Sequence, residues 1–253
     1  ITFPKSNTWK MSLPKAFIEQ MQTQLGLEWP DFAAALETSP PVSIHYNRAK
    51  AAQPPLFMGS PVPWNAAAVY LETRPVFTLD PHFHAGRYYV QEAGSMLLVP
   101  ALQQIQQARG ETIRTALDLC GAPGGKTTLL LNQLPDDCLV VTNEVIKHRF
   151  NILHENMIRW GRSNVINTQG DSAQFAPMSG LFDLVLVDAP CSGEGLFRKN
   201  PQAREEWSAE QVQFCASRQR RILHNALPLV SEGGFLIYST CTYNPQENDQ
   251  NVE

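Results

Sequence analysis

The sequence lacks the features that would send it to a membrane, a secreted scaffold or an electrostatic nucleic-acid binder. No run approaches the ~18 consecutive apolar residues of a membrane span, and no signal peptide is visible. The five cysteines lie far apart with no Cys-x-x-Cys pair, which argues against a disulfide framework or a zinc site. A reduced, cytosolic compartment follows. Positive charge is also scarce: 20 Lys and Arg face 24 Asp and Glu, for a net charge of −4. A protein held to nucleic acid by charge alone would carry a basic excess. The one local excess is at 198–221, where Arg198, Lys199, Arg204, Arg218, Arg220 and Arg221 outnumber Glu205, Glu206 and Glu210. It reads equally well as a solvated helix face.

What is present is enough apolar residue, 43% of 253, for one large domain or two modest ones. Residues 14–25 space Phe17, Met21 and Leu25 by four, which predicts an amphipathic helix. Asp31 reads as an N-cap for 32–36, and 42–47, 67–72 and 87–91 as strands. Prolines and a glycine between Gln53 and Pro63 are expected to break any regular element. From about Gly94 the pattern changes. Strands are expected at 115–119, 139–143, 165–169, 181–187 and 234–239, and helices at 96–107, 126–133, 146–160 and 208–227. This alternation predicts an α/β, doubly wound, mostly parallel sheet, preceded by a small α+β domain. The boundary is read at residue 90, giving domains of 1–90 and 91–253. Met11 reads as a natural start, with 1–10 as upstream or added sequence.

Three segments carry chemistry. Cys120-Gly121-Ala122-Pro123-Gly124-Gly125-Lys126 follows an apolar strand and opens a helix. Its glycines admit a ligand against the backbone, and free N–H groups at the helix start face the same point. A phosphate loop needs a glycine where Cys120 stands, and the dinucleotide pattern GxGxxG fails too. S-adenosylmethionine remains. It needs an acid past the second strand for the ribose, where Glu144 sits, and Asp171 past the third is placed for the adenine. Glu144, Asp171 and Asp188 thus form a series of acids at successive strand ends. The other two segments place Cys191, in Asp188-Ala-Pro-Cys-Ser-Gly193, and Cys241, in Ser239-Thr-Cys-Thr242, just past β-forming runs. Open α/β sheets bind ligands at that edge. A thiolate adding to C6 of cytosine would turn C5 into a nucleophile able to take a methyl group, which is covalent catalysis.

At these residues the sequence resembles the Nol/Nop/Sun family of RNA 5-methylcytosine methyltransferases, in its branch of bacterial ribosomal small-subunit enzymes. The resemblance spans about 12–253 and is carried by 120–126, Glu144, Asp171, 188–195 and 238–242 with Glu247-Asn248 after it, and by 89–96 at the entry to the catalytic domain. It implies a class I, Rossmann-like methyltransferase whose cofactor is S-adenosylmethionine and whose substrate is RNA, most naturally ribosomal RNA of the small subunit. It implies no metal and no membrane. Residues 120–126 would hold the methionine part of the cofactor, Glu144 the ribose, Asp171 the adenine, and Asp188 the pocket between cofactor and base. Cys241 would be the nucleophile and Cys191 would assist product release, with Lys126 reaching the base. DNA cytosine methyltransferases use the Pro-Cys cysteine as nucleophile instead, so position alone leaves the two cysteines unassigned. Where the family often has Arg-x-Asn this chain has His45-Tyr46-Asn47, implying that a basic RNA contact is lost or replaced. The family's C-terminal region, with its RNA-binding module in this branch, is not in the sequence, so the natural protein is expected to continue past Glu253.

Other residues carry weaker signals. His82 and His84 are two apart without an acid or cysteine near them, and read as loop residues rather than metal ligands. Trp9, Trp29, Trp64, Tyr88 and Tyr89 could stack RNA bases but suit packing better. Arg198 and Lys199 could touch phosphates.

Overall fold

The computed structural model describes residues 12–50, 56–109 and 113–253. Trp9 and Met11 lie outside them. The chain packs as two units. The larger comprises 41–189 and 221–239 and the smaller 1–40, 190–220 and 240–253. These units are cut differently from the sequence segments 1–90 and 91–253, because pieces distant in sequence share a core.

The larger unit holds two sheets. Strands β1 (Val42–Tyr46), β2 (Gly59–Val62), β3 (Asn65–Leu71) and β4 (Tyr88–Val90) form an antiparallel sheet in the order β2-β3-β1-β4. Strands β5 (Thr115–Asp118), β6 (Leu139–Asn143), β7 (Val165–Thr168), β8 (Phe182–Asp188) and β9 (Val230–Ser239) form a parallel sheet in the order β7-β6-β5-β8-β9. A parallel sheet must be covered on both faces, and alternate residues divide accordingly. Ala116, Val140, Leu184 and Leu186 join one core with Leu102, Leu129, Leu153 and Met157 from the helices Leu98–Arg109, Gly125–Gln133 and Lys147–Trp160. Leu117, Val141, Val185 and Val187 face the other core, with Phe175, Ile222, Leu223 and Ala226. The doubly wound α/β arrangement expected from the alternation is what forms. The chain winds outward from β5 to β7 and then returns to β8 on β5's other side, so the switch point lies between β5 and β8. Ligands bind at such a point, outside the carboxyl ends of the strands.

Two local expectations need correction. The proline-rich stretch 53–63 contains a strand, β2, with Pro61 opposite Val69. It is an edge strand, where a residue without an N–H loses no ladder bond, and the register shifts after Pro61. Asp31 is not an N-cap. The helix runs Trp29–Leu36 with Pro30 in its first turn, and Asp31 sits inside that turn as an acid near the positive end of the helix.

The smaller unit packs Phe17, Met21 and Leu36 of helices Lys15–Leu25 and Trp29–Leu36 against Phe197, Trp207 and Val212. Phe17 meets Phe197 edge-on at 4.9 Å. The buried guanidinium of Arg204 ties the pieces together. It pairs with Glu37 at 2.8 Å and donates to the carbonyls of Leu36 and Phe197. Among the described residues no helix is long and apolar enough to cross a membrane.

Candidate functional site

The glycine-rich loop leaves β5 at its carboxyl end and is shaped by close approach. A Cβ on Gly121 would lie 2.1 Å from the Thr142 hydroxyl, and Gly121 N–H donates to the Asn143 carbonyl at 2.8 Å. Gly124 sits at φ +113°, a conformation that suits glycine alone, and caps helix Gly125–Gln133 without any side-chain acceptor. The loop's outer carbonyls are tied down. Pro123 accepts from the Asn156 amide at 2.7 Å and the Tyr89 hydroxyl at 3.4 Å, and Ala122 accepts from Arg149 at 2.8 Å. Cys120 is part of this scaffold. Burial pushes its thiol up, so it stays protonated and unreactive.

The four acids at strand ends lie in a row, because β7, β6, β5 and β8 are neighbours. Glu144, after β6, is buried; one oxygen accepts from Ile146 N–H at 2.9 Å and the other pairs with Arg149 at 3.3 Å. Asp171, after β7, caps the helix Ser172–Met178 and pairs with Arg221 at 3.1 Å. These partners leave a lone-pair direction on Asp171 Oδ2 for an exocyclic amine. Asp188 ends β8, pairs with Lys126 at 2.7 Å and accepts from the Ser239 hydroxyl at 2.9 Å. The fourth acid, Asp118, was not among the expected site residues. It ends β5 beneath the loop, accepts from the Thr127 hydroxyl at 2.6 Å and is pushed up to about 7, first by burial. Its Oδ1 is buried without a partner. Its position at a strand end was the signal that could have added it to the series.

The donor set fits S-adenosylmethionine. The loop offers backbone in close reach with open N–H groups at 125–127, and the carboxylates suit ribose hydroxyls and an adenine amine. No cluster of three metal-binding side chains is found among the described residues. His84 contacts the Thr78 carbonyl at 2.9 Å and His82 contacts Arg87 at 3.1 Å.

The cysteines belong to the smaller unit, on loops that the chain enters directly from β8 and β9. Their sulfurs are 3.0 Å apart, and Cys241 N–H also donates to Cys191 Sγ at 3.3 Å. Cys241 is exposed and Cys191 half-buried. The hydrogen bond to Cys241, together with burial, pushes the Cys191 thiol far up. Two fully buried carboxylates lace the loops together. Glu194, on the first loop, accepts from Tyr243 N–H of the second at 2.9 Å and from the Trp207 indole at 3.1 Å. Glu247, on the second, accepts from Ser192 N–H of the first at 2.9 Å and from Gln219 at 2.8 Å. Ser192 and Thr242 hydroxyls meet at 3.1 Å, and Gly195 N–H donates to the Cys241 carbonyl at 2.8 Å. A Cβ on Gly195 would stand 2.7 Å from that carbonyl. Glu194 and Glu247 stand among the residues that carry the family resemblance, but that they brace the loops, with Gln219, is not written locally, because each reaches residues dozens of positions away.

Cys138 and Cys215 are buried small hydrophobes whose thiols burial pushes up. His45, where a basic RNA contact is expected to be lost or replaced, is fully buried. Burial drives it down to about 3, so it is neutral, and it touches Thr128 and Asn132. Arg198 donates to the Thr38 and Ser39 carbonyls and the Thr38 hydroxyl, a structural clamp within its own unit. Trp64 donates to the Ala93 carbonyl and Tyr88 to Asp80, as packing residues do.

Comparison with known proteins gives a consistent picture. Residues 104–253 match the family 16S rRNA methyltransferase RsmB/F, and 13–93 match the N-terminal domain of 16S rRNA methyltransferase RsmF. Ribosomal RNA small subunit methyltransferase F of Pectobacterium carotovorum subsp. carotovorum is 38% identical over 256 residues, covering 94% of this chain and 52% of that protein. The chain therefore spans about half the length of the curated relatives it matches. A methyltransferase homologue from Pyrococcus horikoshii superposes with a TM-score of 0.78 at 27% identity, covering 96% of this chain and 78% of that one. NSun6 from the same organism, determined with the S-adenosylmethionine analogue SFG, shares the fold at a TM-score of 0.79 and 19% identity, covering 96% of this chain and 87% of that one.

Proposed function

The chain belongs to the 16S rRNA methyltransferase RsmB/F family, and on that premise we propose that it methylates C5 of a cytosine in small-subunit ribosomal RNA through a covalent bond from Cys241 to C6. Bound S-adenosylmethionine supplies the electrophilic methyl group. Residues 120–126 hold its methionine end, Glu144 its ribose and Asp171 its adenine. The Cys241 thiolate adds to C6 and the displaced electron pair makes C5 nucleophilic. Asp188, kept in place by Lys126 and Ser239, hydrogen-bonds the ring as charge builds on it. After the methyl group arrives, a base takes the C5 proton, the C–H electron pair re-forms the C5–C6 double bond, and the C6–S bond breaks with its pair leaving on Cys241 as thiolate. Cys191 assists that release.

The observation that carries this assignment is the asymmetry of the thiols. The two sulfurs share one hydrogen bond at 3.0 Å, and of the two Cys241 is exposed while Cys191 is half-buried with its thiol pushed up. Only a thiolate attacks, and an attacking sulfur must be open to its substrate rather than buried, which favours the exposed Cys241. This supports Cys241 as nucleophile and Cys191 as its partner in product release, a choice that position along the chain leaves open. The division at residue 90 is retained as one of sequence inheritance, supported by the separate matches to 13–93 and 104–253. Five free thiols suit a cytoplasmic location.

The test is capture of the covalent complex on a denaturing gel. The Cys191→Ala variant, mixed with S-adenosylmethionine and small-subunit ribosomal RNA, is expected to accumulate an adduct that Cys191→Ala/Cys241→Ala does not form. Methyl transfer surviving in Cys241→Ala would remove the assignment.

A further inference from the structure

A cavity of about 620 Å³ opens in the larger unit, and none of residues 120–126 lines it. Its walls come from the segment 74–78, from Phe83 and Tyr89, and from Asn156 and Arg159 on helix Lys147–Trp160. The volume lies inside the roughly 300–1,000 Å³ range of small-molecule sites. Its chemistry is uneven. Arg74 lies over the Phe77 ring at 5.4 Å and Arg159 over the Phe83 ring at 4.7 Å. Among the described residues neither guanidinium is paired with a carboxylate. Two uncompensated cations on aromatic walls stand out in a chain of net charge −4.

The walls are fixed in advance. The Lys50 ammonium donates to the carbonyls of Arg159 at 2.8 Å and Ala85 at 2.9 Å, and the Asn47 amide to those of Trp160 at 2.8 Å and Gly86 at 3.0 Å. The backbones at Gly86 and Arg159 approach so closely that a Cβ on Gly86 would lie 1.9 Å from the Arg159 carbonyl. A site held this way loses little freedom when a ligand enters. Two lining residues, Asn156 and Tyr89, also donate to the Pro123 carbonyl, so the pocket shares its wall with the cofactor loop.

The geometry points to a second RNA contact: the pocket takes one unpaired nucleotide of the substrate RNA, its base against the aromatic wall and its phosphate on Arg74 and Arg159. This rests on the RNA-methylating reading above. Single-stranded RNA is recognised by stacking on aromatic rings and guanidinium planes, with arginine also forking onto phosphate, and this pocket offers both at once. The nucleotide would serve as an anchor away from the reacting cytosine.

The test compares the wild-type chain with Arg74→Ala/Arg159→Ala and Arg74→Lys/Arg159→Lys, using a short fluorescein-labelled single-stranded RNA. The alanine pair is expected to weaken binding by about tenfold or more, with a shallower salt dependence, and the lysine pair to recover part of the loss. Cofactor affinity should not move in either variant, which reports an intact fold. On small-subunit ribosomal RNA, KM should rise while kcat holds. Equal RNA affinity in wild type and alanine pair, or no binding by the wild type, overturns the pocket. Methyl incorporation by the wild type in that case leaves the activity standing. Arginine-dependent binding without any methyl incorporation does the reverse, keeping the pocket and removing the activity.

Discussion

The loop 120–126 is held by main chain, and the loops bearing Cys191 and Cys241 are held by buried side chains. In the first, glycines bring backbone against the Thr142 hydroxyl and the Asn143 carbonyl, and the surface presented is the open N–H groups of helix Gly125–Gln133, proposed to meet the cofactor. In the second, Glu194 and Glu247 accept hydrogen bonds across two loops, and the groups those loops present are the two sulfurs proposed to react. The difference follows from the task. A cofactor met by backbone amides needs close approach, and only missing side chains allow that. On the proposed mechanism the two sulfurs must keep a fixed distance, and buried charge-assisted hydrogen bonds are the stiffest means available.

The largest effect is expected where the backbone strategy is broken. In Gly121→Ala the new Cβ meets the buried Thr142 hydroxyl at 2.1 Å, so the loop must shift bodily. Overpacking of this kind costs about 1–3 kcal/mol or more, and cofactor affinity should fall at least about a hundredfold. Calorimetric titration with S-adenosylhomocysteine reads this directly. Near-wild-type affinity would mean the close approach is not what shapes the cofactor site.

Breaking the side-chain strategy should separate binding from chemistry. Glu247→Ala leaves Ser192 N–H and the Gln219 amide without their acceptor, at a cost of about 2–3 kcal/mol. Methyl transfer should drop roughly 10- to 100-fold, with cofactor affinity unchanged, since misplacing reacting groups by an ångström carries that penalty. Glu247→Gln keeps one acceptor oxygen and should recover part of the rate. If cofactor affinity falls in step with rate, the two regions are not independent.

How much of this was legible in the sequence differs between the same two regions. The parallel sheet and the loop were, because strand, glycine turn and helix are contiguous and a doubly wound sheet brings strand ends to one edge. Glu144 and Asp188 stand at those ends as expected. The cysteine bracing was legible only in part: Glu194 and Glu247 lie in segments that carry the family resemblance, but nothing local says what they touch. Glu194 and Glu247 act through pairings 49 and 55 residues long, which no local period records. Strand β2 is hidden in the sequence because proline breaks a strand within a sheet but not at an edge position, which the sequence does not mark. The grouping of 12–40 with 190–220 and 240–253 rests on contacts such as Arg204 with Glu37, equally invisible along the chain.

Asp118 sharpens the comparison by pH. Its carboxyl sits near 7, above the ordinary value of an unfolded Asp near 4. Below about pH 4 both states hold the proton and the folded protein keeps its full stability; as pH rises through about 7 that stability is lost. Between pH 5 and 8 the wild type should therefore lose about 1–3 kcal/mol relative to Asp118→Asn, which cannot ionise. The quantity to compare is the pH slope of Tm in the two proteins. Parallel slopes would mean that Asp118 is ionised in the folded state throughout, with a cation or water supplying its Oδ1.

The smallest effect belongs to the one acid of the series whose partner is a surface arginine. Arg221 and Asp171 are both substantially exposed, with 55% and 38% of their side chains open to solvent. Exposed pairs of this kind contribute about 0–1 kcal/mol, and added salt screens them. Asp171 keeps its hydrogen bond from Ala173 N–H whether or not the arginine is present, so its position is set locally by the helix it caps. Arg221→Ala should therefore lower Tm by no more than a degree or two and alter cofactor affinity by less than about threefold. Asp171→Ala, by contrast, removes the cap as well as the carboxylate, costing about 1 kcal/mol from the cap alone and more in cofactor affinity. If Arg221→Ala matched Asp171→Ala in cofactor affinity, the arginine would be holding the carboxylate in place. The third acid of the cofactor edge would then depend on a side-chain brace, as the cysteine loops do, rather than on the strand end that carries it.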